Sequence, residues 1–276
     1  MIKFEKDMSV DYKAMGCAEP KKKPTLTAYI ADQDCIESTE WKKRPAVIVC
    51  PGGGYEFVSP READPIALRY SAAGFHAFIL DYSVSPTGWP AACCELSKAV
   101  AYVRSIADEY SIDKDKIVVC GFSAGGHLAA SIGVHYDKDI VKKFSGVTGD
   151  ENKPNGMILG YPVITDNLEK THMGTHDRFV AGRAEAEKLF GLEHHVNKNT
   201  PKTFIWHTYT DQAVPVYNTM AFATALMENG VQYEMHIFPE GYHGLSLGNK
   251  ITCNSDLAVP AVVPWMDMSI TWLNNL

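Results

Sequence analysis

Short runs rich in β-branched and aromatic residues recur along the chain at 25–30, 45–50, 76–82, 116–122, 157–161, 203–207 and 233–238. Several are apolar at nearly every position rather than at every second one. A strand of that kind has to be covered on both faces, because a strand with one wet face needs only alternate apolar residues. Segments of helical period lie between these runs. Ile66, Tyr70 and Ala73 form one stripe, Leu96, Val100, Val103 and Ala107 a second, and Met220, Ala223 and Met227 a third. Strand alternating with helix predicts an α/β fold: a mostly parallel central sheet with helices on both faces. A chain of 276 residues can bury such a core without disulfides or metals. We find no internal repeat, low-complexity tract or long linker, so the expectation is one domain over 1–276.

Local signals agree with this layout. Ser59-Pro60-Arg61-Glu62 offers a capping serine, proline at the first helical position and glutamate three residues after the cap, which accounts for Arg61 and Glu62 without any substrate. Regular alternation breaks after Gly160-Tyr161-Pro162. There, Asn, His, Gly and charged residues surround one amphipathic piece, 178–190. A long insertion of this kind, 165–200, is either a small cap over a site or a surface elaboration.

Charge narrows the partners. Against 33 acidic side chains stand 26 basic ones, a net charge of −7, and neither nucleic acid nor an anionic membrane is expected to bind such a surface. The basic run Lys21-Lys22-Lys23, between Pro20 and Pro24, reads as a solvated loop. Acidic residues already interrupt the first seven positions, and no apolar run approaches the roughly 18 residues of a membrane span. The expected location is cytoplasmic. Cysteine usage fits a reducing compartment: the count of 7 is odd, no CxxC pair occurs, Cys50 and Cys120 sit in apolar strands, and Cys93-Cys94 lie on a helical stripe where packing explains them better than redox pairing.

The run 116–122 leads into Gly121-Phe122-Ser123-Ala124-Gly125 and then into small residues that suit a helix start. A serine on a sharp strand-to-helix turn has strained backbone geometry, and glycine at the flanking positions lets neighbouring elements approach. The helix N-terminus behind Ser123 supplies amide donors for an oxyanion. In a nucleophile-elbow arrangement an acid and then a histidine follow, each after a later strand. Asp211 follows the run 203–207, ahead of Pro215, and His243 follows the run 233–238 in the glycine-bounded loop Gly241-Tyr242-His243-Gly244. Serine is a poor nucleophile at neutral pH. His243 is therefore expected to take its proton, and Asp211 to fix the imidazole tautomer. A second oxyanion donor besides the Ala124 amide is expected from Pro51-Gly52-Gly53-Gly54-Tyr55, through Gly53 or Gly54. Each residue alone has an ordinary structural reading; the ordered set points to catalysis.

These residues resemble the α/β-hydrolase esterases of the hormone-sensitive-lipase and carbohydrate-acetylesterase groups, closest to bacterial acetylxylan esterases and sugar hydrolases. The resemblance spans about residues 25–275. It is carried by Pro51-Gly52-Gly53-Gly54-Tyr55, Ser59-Pro60-Arg61-Glu62-Ala63-Asp64-Pro65, Leu80-Asp81-Tyr82-Ser83-Val84, Gly121-Phe122-Ser123-Ala124-Gly125-Gly126-His127, Trp206-His207-Thr208 with Asp211, and Gly241-Tyr242-His243-Gly244. One departure is Pro51, where the broader lipase-like group has histidine before the glycines; that histidine braces the loop and performs no chemistry. The resemblance implies the α/β-hydrolase fold and cofactor-free hydrolysis of short acyl esters of small molecules, acetylated sugars foremost. Tyr55, Phe57, Tyr161 and Val214 are candidates to line the substrate pocket. His172 with His176, and His194 with His195, raise the question of a metal, but no HExxH pattern accompanies them and surface or cap histidines explain them better. Two other readings stay open: a serine peptidase of the prolyl-oligopeptidase type, against which 1–43 is short for a gating domain, and a ligand-binding protein that kept the fold without the chemistry. Association into a homo-oligomer is left open.

Overall fold

A computed structural model describes residues 1–31 and 42–276, so Cys35, one of the seven cysteines, lies outside the described residues. Eight strands of the described residues form one sheet: β1 (Ile2–Asp7), β2 (Thr25–Ile30), β3 (Arg44–Cys50), β4 (His76–Asp81), β5 (Ile112–Phe122), β6 (Gly156–Gly160), β7 (Lys202–Thr208) and β8 (Tyr233–Phe238). Their order across the sheet is β1-β2-β4-β3-β5-β6-β7-β8, with β2 antiparallel to both of its neighbours, β1 and β4, and every other pair parallel. Among the described residues eight α-helices accompany them: α1 (Asp64–Ala72), α2 (Ala91–Ser105), α3 (Ala124–His135), α4 (Asp139–Ser145), α5 (Met173–Val180), α6 (Ala184–Phe190), α7 (Tyr217–Glu228) and α8 (Trp265–Asn274).

The continuous apolar strands have the cause inferred from their composition. In β3, Ala46 and Ile48 pack into one core cluster while Val47 and Val49 pack into the other; in β5, Ile117 and Val119 oppose Val118, Cys120 and Phe122 in the same way. The first cluster is closed by Leu96 and Val100 of α2, Leu128 of α3 and Phe222 of α7, the second by Ile66 and Tyr70 of α1 and Trp265 of α8. β3 and β5 therefore each alternate between two dry layers rather than between core and water. β1 carries no such pattern, being exposed along nearly its whole length, and this edge strand is held by its ladder to β2.

From β3 the chain passes to β4 on one side and then returns to β5 on the other. That reversal opens a crevice at the carboxyl ends of β3 and β5, where ligands bind in sheets of this kind.

Three local expectations are corrected. The Ser59 side chain makes no capping bond; Pro60–Glu62 is a short 3-10 turn ahead of α1, and Glu62 is buried with other partners. The buried side of α7 is Phe222, Ala223 and Leu226, while Met220 and Met227 face solvent at 44% and 60% exposure. The amphipathic piece at 178–190 is two helices, α5 and α6, separated where Ala181 and Gly182 adopt positive φ of 47° and 75°.

Candidate active site

Ser123 sits between β5 and α3 with φ 54° and ψ −120°, the left-handed geometry a sharp strand-to-helix turn imposes. The two flanking glycines are required by contact. A Cβ on Gly121 would lie 2.1 Å from the Gly125 carbonyl oxygen, and one on Gly125 would lie 2.1 Å from that of Cys50. The turn is pinned by the Ser123 amide donating to Gly160 (3.0 Å) and by Val163 donating back to Ser123 (3.1 Å).

The loops after β7 and β8 bring Asp211 and His243 to this serine. His243 Nε2 is 2.7 Å from Ser123 Oγ, and His243 Nδ1 is 2.7 Å from Asp211 Oδ2. A carboxylate accepts only, so Nδ1 carries the ring proton and Nε2 is free to accept from the serine hydroxyl. Asp211 is fixed in turn: its Oδ1 accepts from the amides of Ala213 (2.9 Å) and Val214 (3.0 Å), and His207 Nε2 is 3.4 Å from Oδ2. Burial works to raise the Asp211 pKa. Hydrogen bonds from His207, His243 and the Val214 amide overcome it and hold the carboxyl well below the usual carboxylate range. His207 Nε2 donates to the Val214 carbonyl (2.9 Å) while its Nδ1 accepts from Thr219 Oγ1 (2.8 Å), so this buried imidazole braces the aspartate loop against α7.

The glycine-rich loop lies against the serine, since a Cβ on Gly52 would come within 3.0 Å of Ser123 Cβ. Gly53 and Gly54 have φ of 125° and 64°, conformations that glycine adopts without strain. Among the described residues no acceptor is bonded to the amides of Gly53, Gly54 or Ala124. The last begins α3 and has no carbonyl one turn back. The Gly52 amide, by contrast, is taken by Glu62 Oε2 at 2.7 Å.

Glu62 is the residue whose part in the site its capping pattern concealed. Its second oxygen accepts from Tyr161 Oη (2.6 Å), and that hydroxyl accepts from the Ser246 amide (2.9 Å) just beyond His243. One buried network thus ties the glycine loop to the histidine loop. Tyr161, expected at the pocket wall, is 1% exposed, with its ring 5.1 Å from the His243 ring at 72°. Val214 is wholly buried and contributes its main chain. Tyr55 is also buried, its hydroxyl 3.1 Å from His127 Nδ1, whereas Phe57 is 56% exposed beside the glycine loop.

The insertion after β6 folds over this region. Phe190 of α6 stacks on His127 of α3 (4.5 Å), whose Nε2 donates to the Phe190 carbonyl (3.0 Å). From α5, Arg178 reaches the Gly174 carbonyl (2.9 Å), the Gly54 carbonyl (3.4 Å) and Glu56 (2.5 Å), linking the insertion to the glycine loop. The histidines considered for a metal have local partners: His172 caps α5, His176 bonds Asp177 and Glu187, His194 lies 3.2 Å from Asp166, and His195 donates to the Lys188 carbonyl. The six described cysteines are free and buried. Among the described residues no helix is long and apolar enough to cross a membrane.

The sequence profile of the BD-FAE family matches residues 35–226. Endo-1,4-beta-xylanase B of Butyrivibrio fibrisolvens is 36% identical over 234 residues, 82% of this chain and 35% of that protein; the chain spans 35–52% of the length of the first curated relatives. Among solved structures, the acetyl ester-xyloside bifunctional hydrolase of Caldicellulosiruptor lactoaceticus is 33% identical with a TM-score of 0.78, over 92% of this chain and 89% of that one. The carboxylesterase Cest-2923 of Lactobacillus plantarum is 27% identical with a TM-score of 0.83, over 100% and 98%. With a matching profile over most of its length, and the fold of these esterases, the chain belongs to the BD-FAE family of α/β hydrolases.

Proposed function

We propose that the protein is a serine carboxylic-ester hydrolase that removes short acyl groups, acetyl above all, from sugars or similar hydroxyl-bearing small molecules. The observation that carries this reading is the hydrogen-bonded line from Asp211 through His243 to Ser123, with both spacings at 2.7 Å, beside amides left without acceptors. Such a line has a use in acyl transfer and none in merely holding a turn.

In this mechanism Ser123 Oγ attacks the acyl carbonyl carbon as its proton passes to His243 Nε2. The carbonyl oxygen becomes an oxyanion facing the amides of Ala124 and of Gly53 or Gly54, each such donor being worth about 2.7–4 kcal/mol in the transition state. Collapse breaks the bond to the alcohol oxygen, which leaves with the proton from His243. Water then gives its proton to His243 and attacks the acyl-enzyme, releasing the acid and restoring the serine hydroxyl. Asp211 remains ionised throughout, stabilising the imidazolium. Every step uses side chains and amides of this chain, without a cofactor.

The sugar assignment draws on the resemblance to carbohydrate acetylesterases and on a structural neighbour whose name includes acetyl ester and xyloside hydrolysis. The decisive experiment is release of p-nitrophenol from p-nitrophenyl acetate and of acetate from acetylated xylosides. Wild type is expected to turn over both and Ser123→Ala neither. A wild type inert to both, or a Ser123→Ala variant as fast as wild type, overturns the proposal.

A further inference from the structure

Resting on the esterase reading, we infer that His172 is a specificity-determining residue of the same site, donating a hydrogen bond from Nε2 to a hydroxyl on the alcohol half of the ester. The imidazole is held for such a task. Its Nδ1 accepts from the Thr175 amide (3.2 Å) and lies 2.8 Å from Thr175 Oγ1. A ring nitrogen that accepts from a backbone amide carries no proton, so the neutral ring presents N–H at Nε2. Among the described residues that Nε2 has no hydrogen-bond partner, and it is not sealed away from solvent.

Its position is at the site. A Cβ placed on Gly54, in the glycine loop, would be 3.7 Å from His172 Cε1 and 3.7 Å from Arg178 Nη1. Burial lowers the pKa of His172, and the neighbouring His243 and then Arg178 lower it further, which favours the neutral donor. The charge of His243 acts on His172 across the site, and this relation selects the half of the substrate concerned. His243 returns its proton to the leaving alcohol oxygen, so groups gathered about His243 surround the alcohol and not the acyl chain. A fixed N–H there suits an alcohol bearing a second hydroxyl next to the acylated one, as in a sugar. A phenol leaving group offers it nothing.

The test compares kcat/KM for mono-O-acetylated methyl β-xyloside with that for p-nitrophenyl acetate. His172→Asn keeps a side-chain acceptor for the α5 cap, where asparagine is well suited, and withdraws the donor from the site. The expected result is a roughly five- to tenfold loss on the acetylated xyloside with less than a twofold change on the aryl ester, the size of one neutral hydrogen bond. His172→Gln, whose amide N–H reaches further, is expected to recover part of the loss. Equal losses on both substrates, or none on the xyloside, overturn the assignment while leaving the esterase reading intact. A wild type active on neither substrate overturns both.

Discussion

At the residue scale, Asp211 receives four polar contacts, yet only the one from His243 bears on the proposed chemistry. Asparagine would fit the same space but would present a donor or a weakened acceptor to His243 Nδ1, favouring the tautomer whose Nε2 carries the proton. We expect Asp211→Asn to lower kcat on p-nitrophenyl acetate by roughly 10⁴-fold with the fold preserved, as loss of the acid does in triads of this geometry. A loss under tenfold, in a variant with wild-type circular dichroism, would remove His243 from the role of base. The positions of these residues were legible because each of the three follows a strand-forming run and stands in a short glycine- or proline-marked loop. For Val214 and Tyr161 the sequence suggests side chains lining a pocket, whereas in the structure both are buried and their polar contacts are of another kind. The first supplies an amide and a carbonyl, which every residue type has, and the second a hydroxyl whose partner, Glu62, lies 99 residues away in sequence. Contacts of that kind leave no local pattern.

At the scale of elements, the glycine loop is held from two sides, by Glu62 through the Gly52 amide and by Arg178 through the Gly54 carbonyl. Removing the Glu62 carboxylate leaves a buried amide and a buried phenol without their acceptor, costing about 1–3 kcal/mol for each donor left unmade. Glu62→Ala is therefore expected to lower the thermal midpoint and kcat together. Glu62→Gln keeps one oxygen and lets the Tyr161 hydroxyl reverse its role, and should be distinctly milder; identical effects of the two would show that the network does not position the loop. The serine-proline-arginine-glutamate pattern that suggested a cap is one a capping box and this network share, so the sequence could not separate them. Helix α7 departs from its expected face for a different physical reason. Apolar residues occur on most of its circumference, so Met220, Ala223 and Met227 make as good a stripe as Phe222, Ala223 and Leu226 until the sheet decides which side it covers. Leu226→Ala should cost about 2–5 kcal/mol, as deletion of a buried leucine side chain does. Met220→Lys, at an exposed position, should stay within about 0.5 kcal/mol in urea unfolding. The break between α5 and α6 is marked in the sequence by Gly182 alone, because Ala181 is an ordinary helix former placed at positive φ only by its surroundings.

On the scale of the whole molecule, the two-layered burial that makes the strands readable also takes titratable groups out of water, and this sets how stability responds to acid. His76 and His127 are pushed down to about 4 and His135 to about 3, burial being the largest cause in each. An unfolded histidine titrates near 6.5. Between that value and their folded pKa values these three are protonated in the unfolded chain and neutral in the native one, so unfolding takes up protons and stability falls as pH falls. Glu95 opposes them. Buried among Tyr12 and Ser83, it is raised to about 7, so from about 4.5 to 7 the native state holds a proton that the unfolded chain releases. Three groups against one leave net proton uptake on unfolding, each shift being worth on the order of 3 kcal/mol when fully expressed. Asp211 adds to the loss only at lower pH: its depressed pKa stabilises the fold above the unfolded value, and that contribution disappears as pH drops through the folded one. Two of the histidines also tie α3 to the inserted segment, each donating from Nε2 to a carbonyl, of Phe190 and of Leu189; a proton added at Nδ1 leaves those bonds in place, so the cost in acid is that of holding a charge in a buried site. Urea midpoints measured at half-unit intervals should therefore decline from pH 7 to pH 5, and replacing His127 with Gln should flatten the decline. Midpoints that hold level or rise over that interval would mean that the burial of Glu95 outweighs that of all three imidazoles.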